Sequence, residues 1–256
     1  MKRFWRYDID LSHGPSRPSP GGFEGDLAEA PARLLETLAS GARRTLQIAI
    51  KDHFAGRIAL VSSFGAESAV LLHLVAQIDR TTPVIFLDTG HHFAETLEYK
   101  KALCSQLEIS NVVVARPNGR LVAEDDPERS LFASDPDRCC RLRKVLPLNR
   151  ALEGFDAWIT GRKSYQNQDR ANLPVYERAG GRVKINPLID WLALDVIEYL
   201  RASQLPPHPL VARGFPSIGC SPCTSVVESA EPLRSGRWRG LAKTECGIHT
   251  HSLPSR

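Results

Sequence analysis

Apolar residues in this chain fall into short unbroken runs separated by longer stretches with helical spacing. Arg57 to Ser62 (RIALVS), Val84 to Leu87 (VIFL), Val112 to Ala115 and Ala157 to Thr160 have the length and continuity of buried strands. Helical spacing spans about Asp26 to Phe54, Ala66 to Ile78 and about Phe93 to Glu108. Strand and helix alternate, which predicts an α/β fold with a parallel sheet flanked by helices. In such sheets ligands bind beyond the carboxyl ends of the strands. From about Gly180 the pattern weakens and prolines crowd in (Pro206, Pro207, Pro209, Pro216, Pro222). Three parts are expected: a mobile N-terminal segment over residues 1–25, rich in Pro, Gly and Ser, a main domain over 26–235, and a flexible tail over 236–256.

Composition narrows the setting. The N-terminus, MKRFWRYDID, lacks the continuous apolar stretch of a secretory signal, and the run from Ala69 to Ile78 is interrupted by His73 and Gln77 and too short for a bilayer. A cytoplasmic chain without a membrane partner is expected. Thiols stay reduced there, so six cysteines point to metal or catalysis rather than to disulfides. A net charge of +4, spread along the chain, suits a small anion at least as well as nucleic acid. No Lys/Arg block marks a nucleic-acid tail, although Arg138, Arg141, Arg143 and Lys144 crowd one turn. A homo-oligomer is compatible with the sequence.

Three places carry chemistry. Ser62-Ser63-Phe64-Gly65-Ala66-Glu67-Ser68 joins a strand to a helix, where hydroxyls, free amides and the helix dipole favour an oxyanion. It lacks the Gly-Lys-Ser/Thr of the common P-loop, and a serine capping an ordinary helix is the plainer alternative. At the next strand end, Leu87-Asp88-Thr89-Gly90-His91-His92 offers polar groups to a nucleotide; the adjacent histidines diverge and read as solvated or helix-capping. The third is the thiols. Cys139-Cys140 and Cys220-Ser-Pro-Cys223 supply four from two segments, and their spacing departs from the paired Cys-x-x-Cys hooks of structural zinc. An iron–sulfur cube fits the quartet better, with zinc left open. Lys144, four residues after Cys140, shares its face on a helix or else is a solvated lysine. Cys104 continues an apolar stripe and reads as a small buried hydrophobe. Cys246 sits in a polar tail with Lys243, His249 and Arg237 at hand to favour thiolate.

With these residues in view, the chain resembles the assimilatory phosphosulfate reductases. The matches are SSFGAES, FLDTGHHFAETLEY, the Cys139-Cys140 segment ending in Lys144, ITGRKSYQ, KINPLIDW, GFPSIGCSPCT, GRWRG and KTECGIH. The resemblance implies an adenine nucleotide alpha-hydrolase-like (PP-loop) fold. It implies one [4Fe-4S] cluster on Cys139, Cys140, Cys220 and Cys223, and a preference for adenosine 5′-phosphosulfate over its 3′-phosphorylated form. Ser62, Ser63, Gly65 and Ser68 match the phosphate-binding turn, Leu87 and Thr89 the adenosine-facing strand end, and Lys144, Arg170, Arg234 and Arg237 the basic contacts to the phosphosulfate.

The resemblance and the chemistry converge on one route. Cys246 attacks the sulfonate sulfur, AMP leaves, and thioredoxin or a similar dithiol frees sulfite from the S-sulfocysteine. Lys144 assists as a catalytic cation. The alternatives are a reductase of the 3′-phosphorylated substrate, a cluster-dependent tRNA-thiolating enzyme and a zinc-stabilised binding protein.

Overall fold

The computed structural model describes residues 30–228 and 230–249. The expected mobile segment over 1–25 and the predicted start of the first helix at Asp26 lie outside the described residues. Six strands form one sheet: β1 (Ile58–Val61), β2 (Val84–Leu87), β3 (Val112–Ala115), β4 (Ala157–Ile159), β5 (Tyr176–Ala179) and β6 (Arg182–Ile185). Their spatial order is β3-β2-β1-β4-β6-β5, with every pairing parallel except the β5–β6 hairpin. The chain leaves β1 towards β2 on one side and returns to pair β4 on the other. The carboxyl ends of β1 and β4 therefore flank the crevice where such sheets bind ligands.

Among the described residues eight α-helices accompany the sheet: α1 (Ala30–Gln47), α2 (Ser68–Ile78), α3 (Ala94–Gln106), α4 (Gly119–Asp125), α5 (Leu131–Ser134), α6 (Pro136–Cys140), α7 (Leu146–Ala151) and α8 (Ala193–Ala202). Among the described residues none is long and apolar enough to cross a membrane. α2 buries nearly its whole circumference, from Ala69 to Ala76, because α1 and α8 cover the side that faces away from the sheet. Full burial of each of its leucines stabilises by about 1.5–3 kcal/mol. α3 joins the same core through Tyr99 and Leu103. The opposite face of the sheet packs Ala59, Ile85 and Trp158 against Leu148 and Leu152 at α7. Helices thus cover both faces, as expected. α8 and the β5–β6 hairpin lie in the stretch where the sequence pattern weakens.

His208 lies fully buried behind α3. Its Nδ1 accepts from the Leu210 N–H at 3.2 Å, so the ring is neutral and its Nε2–H donates to the Thr96 hydroxyl at 3.1 Å. Burial pushes its pKa down to about 4, against 6.5 when exposed. Between those values the unfolded chain binds the proton and the folded one does not, so stability falls as pH drops through 6.5 towards 4. Acidification from pH 7 to 5 is expected to cost about 2 kcal/mol through this residue. Denaturant midpoints at the two pH values check this; His208→Gln should show a correspondingly flatter acid limb.

Candidate active site

The crevice beyond β1 and β4 opens into a cavity of about 1090 Å³. The turn after β1 forms its floor. Phe64 takes the left-handed backbone there (φ 49°) and its N–H donates to Ser62 Oγ at 3.2 Å. The sequence suggests that Gly65 supplies the tight turn; instead its need is room, since a Cβ there would meet the Ile218 carbonyl at 3.2 Å. Glu67, not a serine, stands at the N-cap position of α2, and its side chain makes no capping hydrogen bond. Its carboxylate receives Lys163 Nζ and Gln166 Nε2, each at 2.8 Å, and the Tyr165 hydroxyl. Burial would raise the Glu67 pKa; the ion pair with Lys163 together with the hydrogen bonds from Lys163, Tyr165 and Gln166 outweighs it and holds the acid below its ordinary range. Lys163 is therefore occupied internally. So is Arg162, bonded to Asn186 and to Glu177.

The two cysteine segments meet beside the end of β2. Asp135 caps α6 through the Arg138 N–H, and Pro136 at the first turn starts the helix that carries Cys139 and Cys140. A π-helical turn over Arg141–Val145 follows, just ahead of Pro147, whose missing N–H breaks the regular ladder. Arg143 clamps this segment to the sheet: buried, it bonds Asp126 at 2.6 Å and the Thr89 carbonyl at 2.9 Å. The second segment is held from the other side, where Ser221 N–H donates to the His91 carbonyl at 2.7 Å. His91 and His92 are half-buried rather than solvated, and neither caps a helix. His92 packs on Phe86 and its Nε2 donates to the Leu87 carbonyl at 2.8 Å. Cys104 is half-buried and packs against the core as expected.

All six cysteines are free. Burial, reinforced by Cys140, Cys220 and Cys223, pushes the Cys139 thiol up to about 12. Burial likewise raises Cys140 to about 11. Cys220 departs from this pattern. Burial would raise it too, but Lys144 and the Thr89 hydroxyl 3.3 Å from its sulfur bring it below the usual thiol range. Among the described residues no three ligating side chains are drawn together tightly enough for a single ion. The four thiols nonetheless sit within electrostatic reach of one another, and a cluster holds its thiolates further apart than one ion does, because each binds a separate iron.

Ser62, Ser63, Gly65, Ser68, Leu87, Thr89, Lys144, Arg170, Arg234, Arg237, Cys220 and Cys246 all line this cavity; Cys139, Cys140 and Cys223 do not. Lys144 joins the two halves. Burial opposes its charge, and the sulfurs of Cys220, Cys246 and Cys140 outweigh burial to hold its proton above the ordinary lysine range. Arg234 is pushed down to about 10 by burial and by the neighbouring Arg170 and Arg237. Arg237 stacks on Trp238 at 4.6 Å and leaves its Nε buried without a partner. The Arg234 and Arg237 guanidiniums beside Lys144, with an orphaned donor among them, describe a receptor for a multiply charged anion.

The tail closes this receptor. Residues 236–249 lie against the body, with Cys246 half-buried on the cavity wall. Ile248 packs on the core face formed by α7, and His249 stacks flat on Trp158 with ring centroids 5.6 Å apart. Burial pushes the His249 pKa well below 6.5, and its Nδ1 has no partner. Glu245, Asn167 and Trp158 also shape the site, and sequence reasoning did not single them out; only a contact between distant segments marks them.

Residues 57–226 match the phosphoadenosine phosphosulfate reductase domain. The chain is 49% identical over 238 residues to an adenosine 5′-phosphosulfate reductase of Chelativorans sp. (strain BNC1), covering 93% of this chain and 96% of that one. It is 53% identical to another from Mesorhizobium japonicum, covering 79% of this chain and 80% of that one. The crystal structure of phosphoadenylyl-sulfate reductase from Candida auris, in a phosphate complex, superposes with a TM-score of 0.63 at 27% identity and covers 80% of this chain and 100% of that one. Yeast FAD synthetase shares the fold alone, at 16% identity and a TM-score of 0.56 over 79% of this chain and 70% of that one.

Proposed function

Because this chain belongs to the phosphoadenosine phosphosulfate reductase family, we propose that it reduces adenosine 5′-phosphosulfate to sulfite and AMP in cytoplasmic sulfate assimilation. One observation carries the reading: a free thiol, Cys246, shares a cavity wall with a phosphate-type turn and with the cations Lys144, Arg234 and Arg237. Cys246 thiolate attacks the sulfonate sulfur, the bond from sulfur to the phosphate oxygen breaks, and AMP departs with that oxygen. Thioredoxin or a similar dithiol then attacks the Cys246 sulfur, sulfite leaves, and the dithiol closes to a disulfide. The dithiol supplies both electrons.

The turn at Ser62, Ser63, Gly65 and Ser68 holds the phosphate, and Leu87 and Thr89 border the adenosine. Lys144, Arg234 and Arg237 offset charge on the sulfonate and on the departing phosphate. Cys139, Cys140, Cys220 and Cys223 would hold one [4Fe-4S] cluster, which when bound ties the two cysteine segments together and sets the local charge that Lys144 faces. Iron and acid-labile sulfide in anaerobically purified protein support that assignment; zinc without sulfide overturns it.

The reaction is tested by incubating the anaerobic protein with the substrate in the absence of dithiol. Intact mass and peptide mapping should find one added sulfonate on Cys246. An adduct only with the 3′-phosphorylated form would shift the substrate, and an adduct with neither would sink the reading.

Gly219 gives a second handle. A methyl group there would overlap the Arg237 guanidinium, the movable end of a long side chain, so Arg237 shifts while the backbone stays. Gly219→Ala is expected to weaken binding of adenosine 5′-phosphosulfate by about tenfold, the worth of one charged hydrogen bond. Its thermal midpoint should hold. Titration of the ligand against both proteins checks this.

A further inference from the structure

The cavity that collects cations also contains a carboxylate next to the nucleophile. Glu245 is buried, and it lies on the wall of a site proposed to take a sulfonate and a phosphate. An uncompensated carboxylate there would repel the ligand. Arg170 compensates it first: it presents its fork, Nε to Oε1 at 2.5 Å and Nη2 to Oε2 at 2.8 Å, and Asn167 Nδ2 adds a third bond at 2.9 Å. Both charged side chains are nearly fully buried, at 10% and 7% exposure. A bidentate, desolvated Arg–carboxylate pair fixes geometry as well as charge.

The neighbours point the same way. Thr244 Oγ1 donates to Asp169 at 2.7 Å, the Thr244 carbonyl accepts from Arg234 Nη2 at 3.1 Å, and Lys243 pairs with Asp137. The short helical turn over Gln168–Arg170, together with Asn167, thus takes hold of the tail at successive residues just before Cys246. The resemblance assigns Arg170 to the phosphosulfate. With the tail closed, its fork is filled.

We propose that Arg170 and Asn167 form a receptor for the tail, and that Glu245, seated in it, positions Cys246 over the substrate. Arg170 is in this view a positioning residue, and Lys144, Arg234 and Arg237 are the cations left to the ligand. The latch also explains how the tail leaves for the second step: one ion pair and a few hydrogen bonds hold it, rather than a continuous apolar face. The proposal rests on the reductase reading for its kinetics, but not for its structural test.

The experiment uses cluster-loaded protein carrying Glu245→Ala, Glu245→Gln, Arg170→Ala or Arg170→Lys, with three readouts. The first is the single-turnover rate of sulfonate addition to Cys246. The second is the dissociation constant of adenosine 5′-phosphosulfate in a Cys246→Ser background. The third is the rate of tryptic cleavage after Lys243, read by mass. Each variant is expected to slow sulfonate addition by about 100-fold, the effect of a displaced reacting group. In the Glu245 variants and in the double variant Glu245→Ala with Arg170→Ala, where no carboxylate is left unpaired, binding should stay within about threefold, since an interaction that acts on the nucleophile leaves ground-state affinity alone. Cleavage after Lys243 should quicken about tenfold as the tail opens more often. Arg170→Lys keeps the charge and loses the fork, so it should resemble Arg170→Ala, and Glu245→Ala combined with Arg170→Ala should be no slower than either alone. If Arg170→Ala weakens binding by about tenfold or more while Glu245→Ala leaves addition and cleavage unchanged, the fork belongs to the ligand and the proposal fails. Glu245→Ala tightening binding without slowing addition would overturn it too, making the carboxylate a competitor. Absence of any adduct on the wild-type protein would instead fault the reductase reading, and the cleavage rates would still decide the latch.

Discussion

Cys246→Ser is expected to abolish sulfite release, with activity falling by at least about 10³-fold, because no other thiol in the cavity can take its place as nucleophile. Cys220 also lines the cavity, but it is bonded to Lys144 and Thr89 and belongs to the proposed cluster quartet. A serine hydroxyl fills nearly the same volume, so the tail should still seat Glu245 on Arg170 and stack His249 on Trp158. Substrate affinity and iron content are therefore expected to match the wild type. Coupled assay of sulfite, ligand titration and iron analysis on one preparation check all three. Residual turnover above a few per cent would move the nucleophile elsewhere. Loss of iron together with activity would mean that Cys246 serves the cluster as well.

Lys144→Ala should produce the next largest loss. Its ammonium lies within electrostatic reach of Cys220, Cys246 and Cys140 at once, and it faces the cavity beside them. A cation in that position stabilises charge on the sulfonate as the sulfur–oxygen bond breaks, and removing one such group typically costs about 10²–10³ in rate. Lys144→Ala is expected to slow sulfonate addition to Cys246 by that factor, in cluster-loaded protein, with a smaller change in ligand affinity. Lys144→Arg keeps the charge but carries a wider, planar head into a half-buried slot and should recover only part of it. Equal loss in affinity and rate would place Lys144 in ground-state binding. A protein that can no longer be loaded with iron would assign it to the cluster alone.

The sheet was legible where the chain runs unbroken in apolar residues. β2 coincides with its predicted run because a strand buried along its whole length needs such a stretch, and β3 coincides too, although it is an edge strand whose valines are only partly covered. The β5–β6 hairpin was not legible: Glu177 and Arg178 in β5 and Arg182 and Lys184 in β6 interrupt the apolar pattern, and Lys184 lies buried in a pair with Glu177 across the strands. α8 carries a readable amphipathic pattern, but it is short and the prolines after it drew the whole region into one irregular reading. The cavity residues were found through local motifs and resemblance. Their partners were not, because Arg170 and Glu245 lie 75 positions apart and no periodicity links them. Phe64 shows a different limit. The glycine beside it advertises backbone freedom, yet the positive φ falls on the phenylalanine, whose ring is anchored against Phe86 and tolerates the strain.

The sheet order also has a temporal side. Leu60 in β1 pairs with Val84 in β2 on one flank soon after synthesis, but the other flank of β1 waits for β4, where Ala157 lies opposite Ile58. At ribosomal speeds of about 5–20 residues per second, that gap lasts on the order of ten seconds. Throughout it a wholly apolar strand of the nascent chain presents an open edge, and the vicinal cysteine pair is made only near the end of it, well before Cys220. Slower translation prolongs that window and faster translation shortens it. The yield of native protein should accordingly depend on elongation rate and on holdase chaperones more than the finished, closed sheet would suggest.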